Sequence, residues 1–525
     1  METTEVKAIL FDTRSIQRYI FSGNKLRTNI GASYIVENLF KMELIPILEE
    51  VFPGHSDLET WEQVETPSFR DFTEDCRIAY IGGGNALVLF RQDTPDEVLA
   101  KVVEAFTKKL LVTYPGLKTG AAIGSLVLSP QAAYQKSDEA LHHLLKHNQN
   151  TVFPQVNVPY TGLTQACGIN GEVANYQDIN HVIEPKGVAR FFSQEVAAKA
   201  MMMKQAHAAL QDKFVQVIDG YEFPTEFSKL GQKETENYIA IVHVDGNNMG
   251  QKFMSCRTLE DRVRLSKAVK EKTEQAFAKL LQTIVDEYDG YEDFLALEDN
   301  ILPIRPLILG GDDATFICAG KMAVTYAKRF IEFIKEGNSF FAGGIDSCGG
   351  VAILPASYPF FRGYELAEQL CDAAKKVSRI QNGCWLDFAL LHGEQAPTLG
   401  QIRAQEYRGI LGDLHFGPYA VCNSASPVSL DKILQCARLF AAGQEFEDKT
   451  PQEAPGLAKN KIKELRSVLQ HGEHDCQQFL EQIGHMHQQL PHIEGWEEYK
   501  KNLWFEGRTP YVEAIELIDF MPKEG

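Results

Sequence analysis

No stretch of roughly eighteen apolar residues occurs in the 525-residue chain, which argues against a membrane-spanning helix. The opening METTEVKAILFDTRS lacks the basic-then-apolar order of a secretory signal, so a cytoplasmic protein is expected. No CxxC occurs among the ten scattered cysteines, which argues against a zinc ribbon or a thioredoxin-like site and leaves reduced thiols as the simplest account. Positive charge is also short. The formal net charge of −19 speaks against a chain that coats nucleic acid by itself, although a local basic groove is compatible with it. The length is too great for one ordinary core and, at roughly 150 residues per domain, suggests three or four domains.

What is present begins with LILGGDDATFICAG, residues 307–320. Two apolar runs flank Gly310, Gly311, Asp312 and Asp313, the pattern of a tight β-hairpin with carboxylates at its tip. Turn chemistry alone would account for these residues as solvated loop positions. A second stretch, YIGGGNALVLF at 80–90, has the same grammar, but Gly84 and Asn85 stand where the aspartates do. Upstream of each hairpin lies an apolar strand ending in aspartate: VKAILFDTRS with Asp12, and YIAIVHVDGNNMG with Asp245. A helical stretch separates strand from hairpin. Downstream of each come a helix, a strand rich in small residues and a further helix. Each copy therefore reads βαββαβ plus a trailing helix, a ferredoxin-like unit. Turn preference does not explain why only one of two such copies carries the acidic hairpin.

The expected organisation is α/β (α+β): a first unit at 1–150, a partly helical bridge at 151–234, a second unit at 235–398, and a C-terminal helical domain at 399–525. Residues 50–76 read as an acidic loop insertion. In the bridge, a Pro/Gly-rich piece precedes a helix whose Met201, Met202 and Met203 read as core filler.

In a βαββαβ unit the first strand lies beside the central hairpin, so Asp245 is expected to converge with Asp312 and Asp313. Three carboxylates on one edge repel unless cations neutralise them, and hard oxygen ligands suit Mg2+ or Mn2+. Two ions there could hold a nucleotide triphosphate and activate a hydroxyl. Gly246, Gly310 and Gly311 would let backbone approach phosphates closely. Lys375 on the trailing helix could offset phosphate charge, or be a solvated helix lysine.

These residues resemble a known family. VDGNNMG, GGDD at 310–313 and AEQLCDAAKK are similar to the second palm domain of the large subunit of type III CRISPR effector complexes, related to GGDEF and other nucleotidyl cyclases. The trailing-helix lysine of that superfamily stands where Lys375 is. DTRSIQRYIFSGNKLRTNIGASYIVENL followed by GGGN resembles the family's other palm. The resemblance implies two facing palms that bind two ATP molecules. Asp245, Asp312 and Asp313 would hold two metal ions, with Gly246 and Asn247 beside them, while Gly83, Gly84 and Asn85 would form a non-catalytic nucleotide site. It implies a cyclic oligoadenylate product made from ATP, pyrophosphate release, and partners in the form of other effector subunits with guide and target RNA.

The sequence departs from the family in three places. The HD nuclease domain often found before the first palm is not in this chain, Asn247 replaces a usual acid, and Cys167 stands alone where the family has paired zinc ligands. Two other functions stay open: a nucleotide-sensing or structural subunit of a ribonucleoprotein with inactive palms, and a stand-alone cyclic dinucleotide synthase with a separate regulatory partner. His471, His474, His485, His487 and His492 read as solvated helix histidines rather than a metal site. KNKIKELR at 459–466 is the one clear basic stripe, so RNA binding by the unaided chain is expected to be weak.

Overall fold

The computed structural model describes residues 4–53, 62, 68–69, 72–129, 131–151, 162–184, 190–231, 237–391, 393, 398–444 and 456–521. Most of the acidic insertion at 50–76, and residues 152–161 of the bridge, lie outside the described residues. Among the described residues no helix is long and apolar enough to cross a membrane.

By its contacts the chain divides into two units. The first comprises Met1–Val215, Asn248–Gln275 and Leu307–Ala314. Its sheet is built from β1 (Thr4–Arg14), β2 (Cys76–Gly82), β3 (Asn85–Phe90) and β4 (Lys118–Ser129), in the order β2-β3-β1-β4. β1 is antiparallel to both neighbours, with Asp12 opposite Asn85 on one side and Gly120 on the other. This is the ferredoxin-like order that the βαββαβ pattern predicts. Helices α1 (Leu26–Leu39), α2 (Asp96–Thr113) and α3 (Gln131–Thr151) accompany it. Phe11 of β1, Phe106 of α2 and Phe40 just after α1 pack as a ring triad, with centroids 5.0–6.1 Å apart. Such pairs add about 0.5–1.5 kcal/mol each beyond the area they bury.

Helix α4 (Gln194–Phe214) is capped by Ser193, whose side chain accepts from Val196 N. Of its methionines, Met201 departs from the sequence expectation at 49% exposed while Met202 and Met203 are half-buried, and the buried residues are Val196, Ala197, Lys199, Ala200, Ala206 and Phe214. A Cβ on Gly31 would come within 1.8 Å of the Lys199 carbonyl, so α1 and α4 cross in close backbone contact at that glycine. Lys199 is buried with its ammonium satisfied by Tyr19 O (2.6 Å), Ser22 Oγ (2.8 Å) and Glu195 Oε1 (2.5 Å).

The second unit comprises Gln216–Asn247, Ala276–Pro306 and Thr315–Gly525. The six-stranded sheet contains β5 (Tyr238–Gly246), β6 (Ile304–Gly310), β7 (Asp313–Ala319), β8 (Ser347–Pro355), β9 (Cys384–Leu390) and β10 (Tyr419–Val421). The order is β10-β9-β8-β5-β7-β6, so its last four strands repeat the ferredoxin-like order. The strand from WLDFALLHG extends the sheet as β9, parallel to β8, and β10 from the C-terminal region adds antiparallel to it. Ile239 to Val244 are all buried. That is why β5 reads as a continuous apolar run rather than an alternating one.

Helix α5 (Leu259–Asp286) precedes the hairpin, and α6 (Ala323–Lys335) and α7 (Phe360–Gln381) follow it. Ala323, Ala327, Phe330, Ile331 and Ile334 form the buried stripe of α6 at helical spacing. Phe277, Phe316 and Phe330 make a second ring triad, with centroids 5.7–5.9 Å apart.

The C-terminal part is chiefly helical: α8 (Leu430–Gln444), α9 (Lys459–Val468), α10 (Glu473–His485) and α11 (Tyr511–Glu516). It is tied to the sheet by Glu513, fully buried on α11, which accepts from Phe416 N (2.7 Å), Gly417 N (3.3 Å) and Tyr419 Oη. Burial opposes its charge, but His415, Arg403 and Tyr419 outweigh that effect and hold the carboxyl down at about 2.

Candidate nucleotide site on the second ferredoxin-like unit

Strand β5 delivers Asp245 at its end, and α7 meets it there. Lys375 Nζ lies 2.5 Å from Asp245 Oδ2, with both side chains about a quarter exposed. Burial works against the lysine's charge, and the neighbouring carboxylate more than compensates, leaving Lys375 above the ordinary lysine range. The glycines of FFAGGIDSCGGVAIL make this approach possible. A Cβ on Gly350 would come within 2.0 Å of Ala367 O and 2.4 Å of Cys371 N, so α7 lies directly on β8 only because that position has no side chain. β8 in turn pairs with β5, placing Cys348 opposite Asp245.

Asn247 is held by a set of contacts that the sequence did not suggest. Its backbone N donates to Asp346 O (2.7 Å), and its Nδ2 donates to Ser378 Oγ (2.9 Å) and Gly383 O (3.2 Å). An acid at this position would set a carboxylate oxygen against the Gly383 carbonyl. Asparagine in place of the acid therefore fits its surroundings here, and Ser378 was not foreseen.

The acidic hairpin is formed as expected, with β6 ending at Gly310 and β7 starting at Asp313. Gly311 has φ 64°, while Asp312 is not among the residues of positive φ, the requirement of a turn with glycine at its first central position. No heavy atom lies within 4 Å of a Cβ built on Gly311, and the nearest to one on Gly310 is at 3.9 Å, so space beside both is open. Within the first unit, the hairpin is anchored by Thr273 Oγ1, which donates to Gly311 O (2.7 Å), and by Ser33 Oγ, which donates to Leu307 O. His243 Nδ1 and Thr315 Oγ1 are 3.1 Å apart, across the neighbouring strands β5 and β7. Asp245 lies two residues beyond His243, and Asp313 two residues before Thr315.

Asp245 and Lys375 are thus brought together. Carboxylates are the right donors in kind for Mg2+ or Mn2+. The cation that Asp245 meets in this conformation is the Lys375 ammonium, and among the described residues no group of three or more His, Cys, Asp or Glu side chains is gathered to hold a metal ion.

The first unit offers the counterpart. Asp12 accepts from Gln149 Nε2 on α3 (2.6 Å), and burial raises its carboxyl above the ordinary range against the lowering effect of Gln149. Gly83 and Gly84 both have positive φ, Gly84 lies against Ile16, and Asn85 Nδ2 reaches back to Gly83 O at 3.4 Å. Gln149 was missed in the sequence. Asking which trailing-helix residue answers to Lys375 would have found it.

Other motifs carry less. All five C-terminal histidines are exposed. In KNKIKELR, Lys461 is buried and pairs with Glu464 (2.6 Å), while Arg466 pairs with Glu516 (2.9 Å), so half of the stripe's positive charge is answered within the chain.

A ferredoxin-like sheet with an aspartate-ended first strand, an acidic hairpin and a trailing-helix lysine defines a palm domain of the nucleotidyl cyclase class. Residues 238–382 match the family model described as Cas10/Cmr2, second palm domain. Solved structures agree on the fold. Csm1 of T. onnurineus superposes with a TM-score of 0.57 at 13% identity, over 99% of this chain and 70% of that one. A Csm1–Csm4 cassette in complex with cA4 gives 0.54 at 12%, covering 98% and 69%. A Csm1–Csm4 cassette in complex with one ATP gives 0.51 at 11%, covering 99% and 70%. No curated protein matches the sequence.

Proposed function

We propose that the second palm is a metal-dependent nucleotidyltransferase that joins ATP into cyclic or short linear oligoadenylate for antiviral defence, within a type III CRISPR-type assembly. The observation that carries this reading is the Asp245–Lys375 ion pair at the end of β5, the sheet neighbour of the strand that begins at Asp313. Asp245, Asp312 and Asp313 would hold two Mg2+ or Mn2+ ions, which when bound supply Lewis acidity toward the α-phosphate and a more acidic attacking hydroxyl. Lys375 would then exchange Asp245 for a phosphate oxygen of ATP, so the triphosphate enters where an internal ion pair stood. The open space beside Gly310 and Gly311 admits phosphate next to backbone. Gly83, Gly84 and Asn85 would help hold the second nucleotide. The relatives' complexes with ATP and cA4 support a nucleotide ligand of this kind.

One observation favours a second reading. Asp245 is already neutralised by Lys375, which suits a palm that senses nucleotide without turning it over. Incubating the purified chain with each NTP and Mg2+ or Mn2+, with mass analysis of products, separates the two. Adenylate oligomers from the wild type and none from an Asp312→Ala/Asp313→Ala variant support the transferase. Nucleotide bound but unchanged, in the presence of target RNA and partner subunits as well as alone, supports the sensor.

A further inference from the structure

Two cysteines meet where β9 and β10 join at the edge of the second unit's sheet. Cys384 opens β9 and pairs across the ladder with Val421 of β10. Cys422, the next residue, leaves the strand with φ 61° and is exposed, whereas Cys384 is buried. Their thiols share a hydrogen bond. Cys384 Sγ also lies 3.6 Å from Asp346 Oδ1, whose carboxylate is paired with Lys335 at 2.9 Å.

The remaining cysteines differ in kind. Cys318 and Cys436 are buried with no cause other than burial acting on their thiols, which it pushes far up. Cys371 donates to the backbone carbonyl of Cys348, both are buried, and burial raises both thiols. Cys422 alone is shifted the other way. The hydrogen bond from Cys384 lowers its thiol, and Lys328 and Lys335 add to this against burial and Glu332. An exposed thiol lowered by the hydrogen bond of a second thiol is the arrangement of an attacking cysteine and its resolving partner.

We propose that Cys384 and Cys422 form a reversible disulfide site, closed by exchange with a low-molecular-weight disulfide. The Cys422 thiolate attacks one sulfur of RSSR, forming a mixed disulfide and expelling RS−, which takes up a proton as RSH. Cys384 then gives up its proton to solvent base, and its thiolate attacks Cys422 Sγ, expelling the second RS−, which takes up a proton as RSH. In balance, two protein thiols and RSSR yield one protein disulfide and two RSH; the protein is oxidised by two electrons and RSSR reduced. The site's position in the chain gives closure a consequence. Gly383, just before Cys384, holds the Asn247 amide, and Asp346 accepts from Asn247 N, so the bond forms one residue from the contacts that fix the segment after Asp245.

The test uses the full reduced chain, glutathione disulfide as oxidant, alkylation of remaining thiols, and mass mapping of peptides. The wild type should lose two hydrogens and give a linked peptide containing Cys384 and Cys422, reversed by dithiothreitol. Cys384→Ser should stop at one glutathione on Cys422, and Cys422→Ser should take up none at either position. A wild type that keeps glutathione on Cys422 without linkage, that links other cysteines, or that stays fully reduced under conditions that oxidise a free exposed thiol would overturn the proposal.

Discussion

The two ferredoxin-like units share strand order, an aromatic triad and a first strand ending in aspartate, yet they answer that aspartate differently. In the first, Asp12 meets the neutral amide of Gln149, and burial drives its carboxyl toward the protonated form. In the second, Asp245 meets the ammonium of Lys375 in an ion pair. The hairpins differ in the same sense, Gly-Gly-Asn against Gly-Asp-Asp. A fold that tolerates either chemistry does not itself confer activity; the charge placed at the strand ends does.

The widest separation between the units is expected at the hairpins. Asp312→Ala/Asp313→Ala should lower any nucleotide turnover by about 100-fold or more, the scale of losing the principal electrostatic contacts to the reacting phosphate. Asn85→Ala in the first unit should lower it by no more than about 10-fold, the scale of one hydrogen bond to the second nucleotide, about 0.5–1.5 kcal/mol. Rates of the two variants under one set of conditions check the contrast.

Next in size is the strand beneath each trailing helix. Gly350→Ala drives a methyl into the Ala367 carbonyl and should cost about 2–3 kcal/mol in denaturant unfolding. Gly124→Ala in the first unit meets only the tip of Leu141 at 3.0 Å and should cost less than about 1 kcal/mol. Equal costs would mean that the second helix is not seated as closely as described.

Lys375→Gln makes the second unit resemble the first. Losing a charge-assisted contact of about 1.5 kcal/mol should weaken ATP binding by about 10-fold, measured by calorimetry. The reciprocal Gln149→Lys should instead pull the Asp12 carboxyl down toward the ordinary range, visible by NMR titration.

The smallest effect concerns pH. Asp12 is raised in the folded state, so its protonated form is the one the fold prefers. The stability it contributes is complete below 3.8 and is lost as pH rises through the higher folded value. Asp12→Asn should therefore raise the melting temperature slightly at neutral pH and leave it unchanged at pH 3. A destabilised variant at neutral pH would show that Asp12 is held as a carboxylate.

The repeat was legible because strand and hairpin grammar are local: Asp12, Asp245 and the two glycine turns lie where alternation and turn chemistry put them. The Asp245–Lys375 pairing could be anticipated from a helix that trails its strand. Asn247 could not, because its partners Ser378 and Gly383 are distant in sequence and the structural use of an amide leaves no local pattern. The methionines of α4 misled for a related reason. The close helix crossing at Gly31, far away in the chain, leaves no local pattern, and of the three methionines only Met201 is exposed.

The central claim, that one palm carries the chemistry and the other only holds nucleotide, is tested most directly by Asp245→Asn and Asp12→Asn assayed side by side for conversion of α-labelled ATP with Mg2+, each in the assembled complex if the isolated chain is silent. The account predicts turnover lost in Asp245→Asn and kept within about 3-fold of wild type in Asp12→Asn. Equal loss in both variants, or full activity without the Asp245 carboxylate, would contradict it.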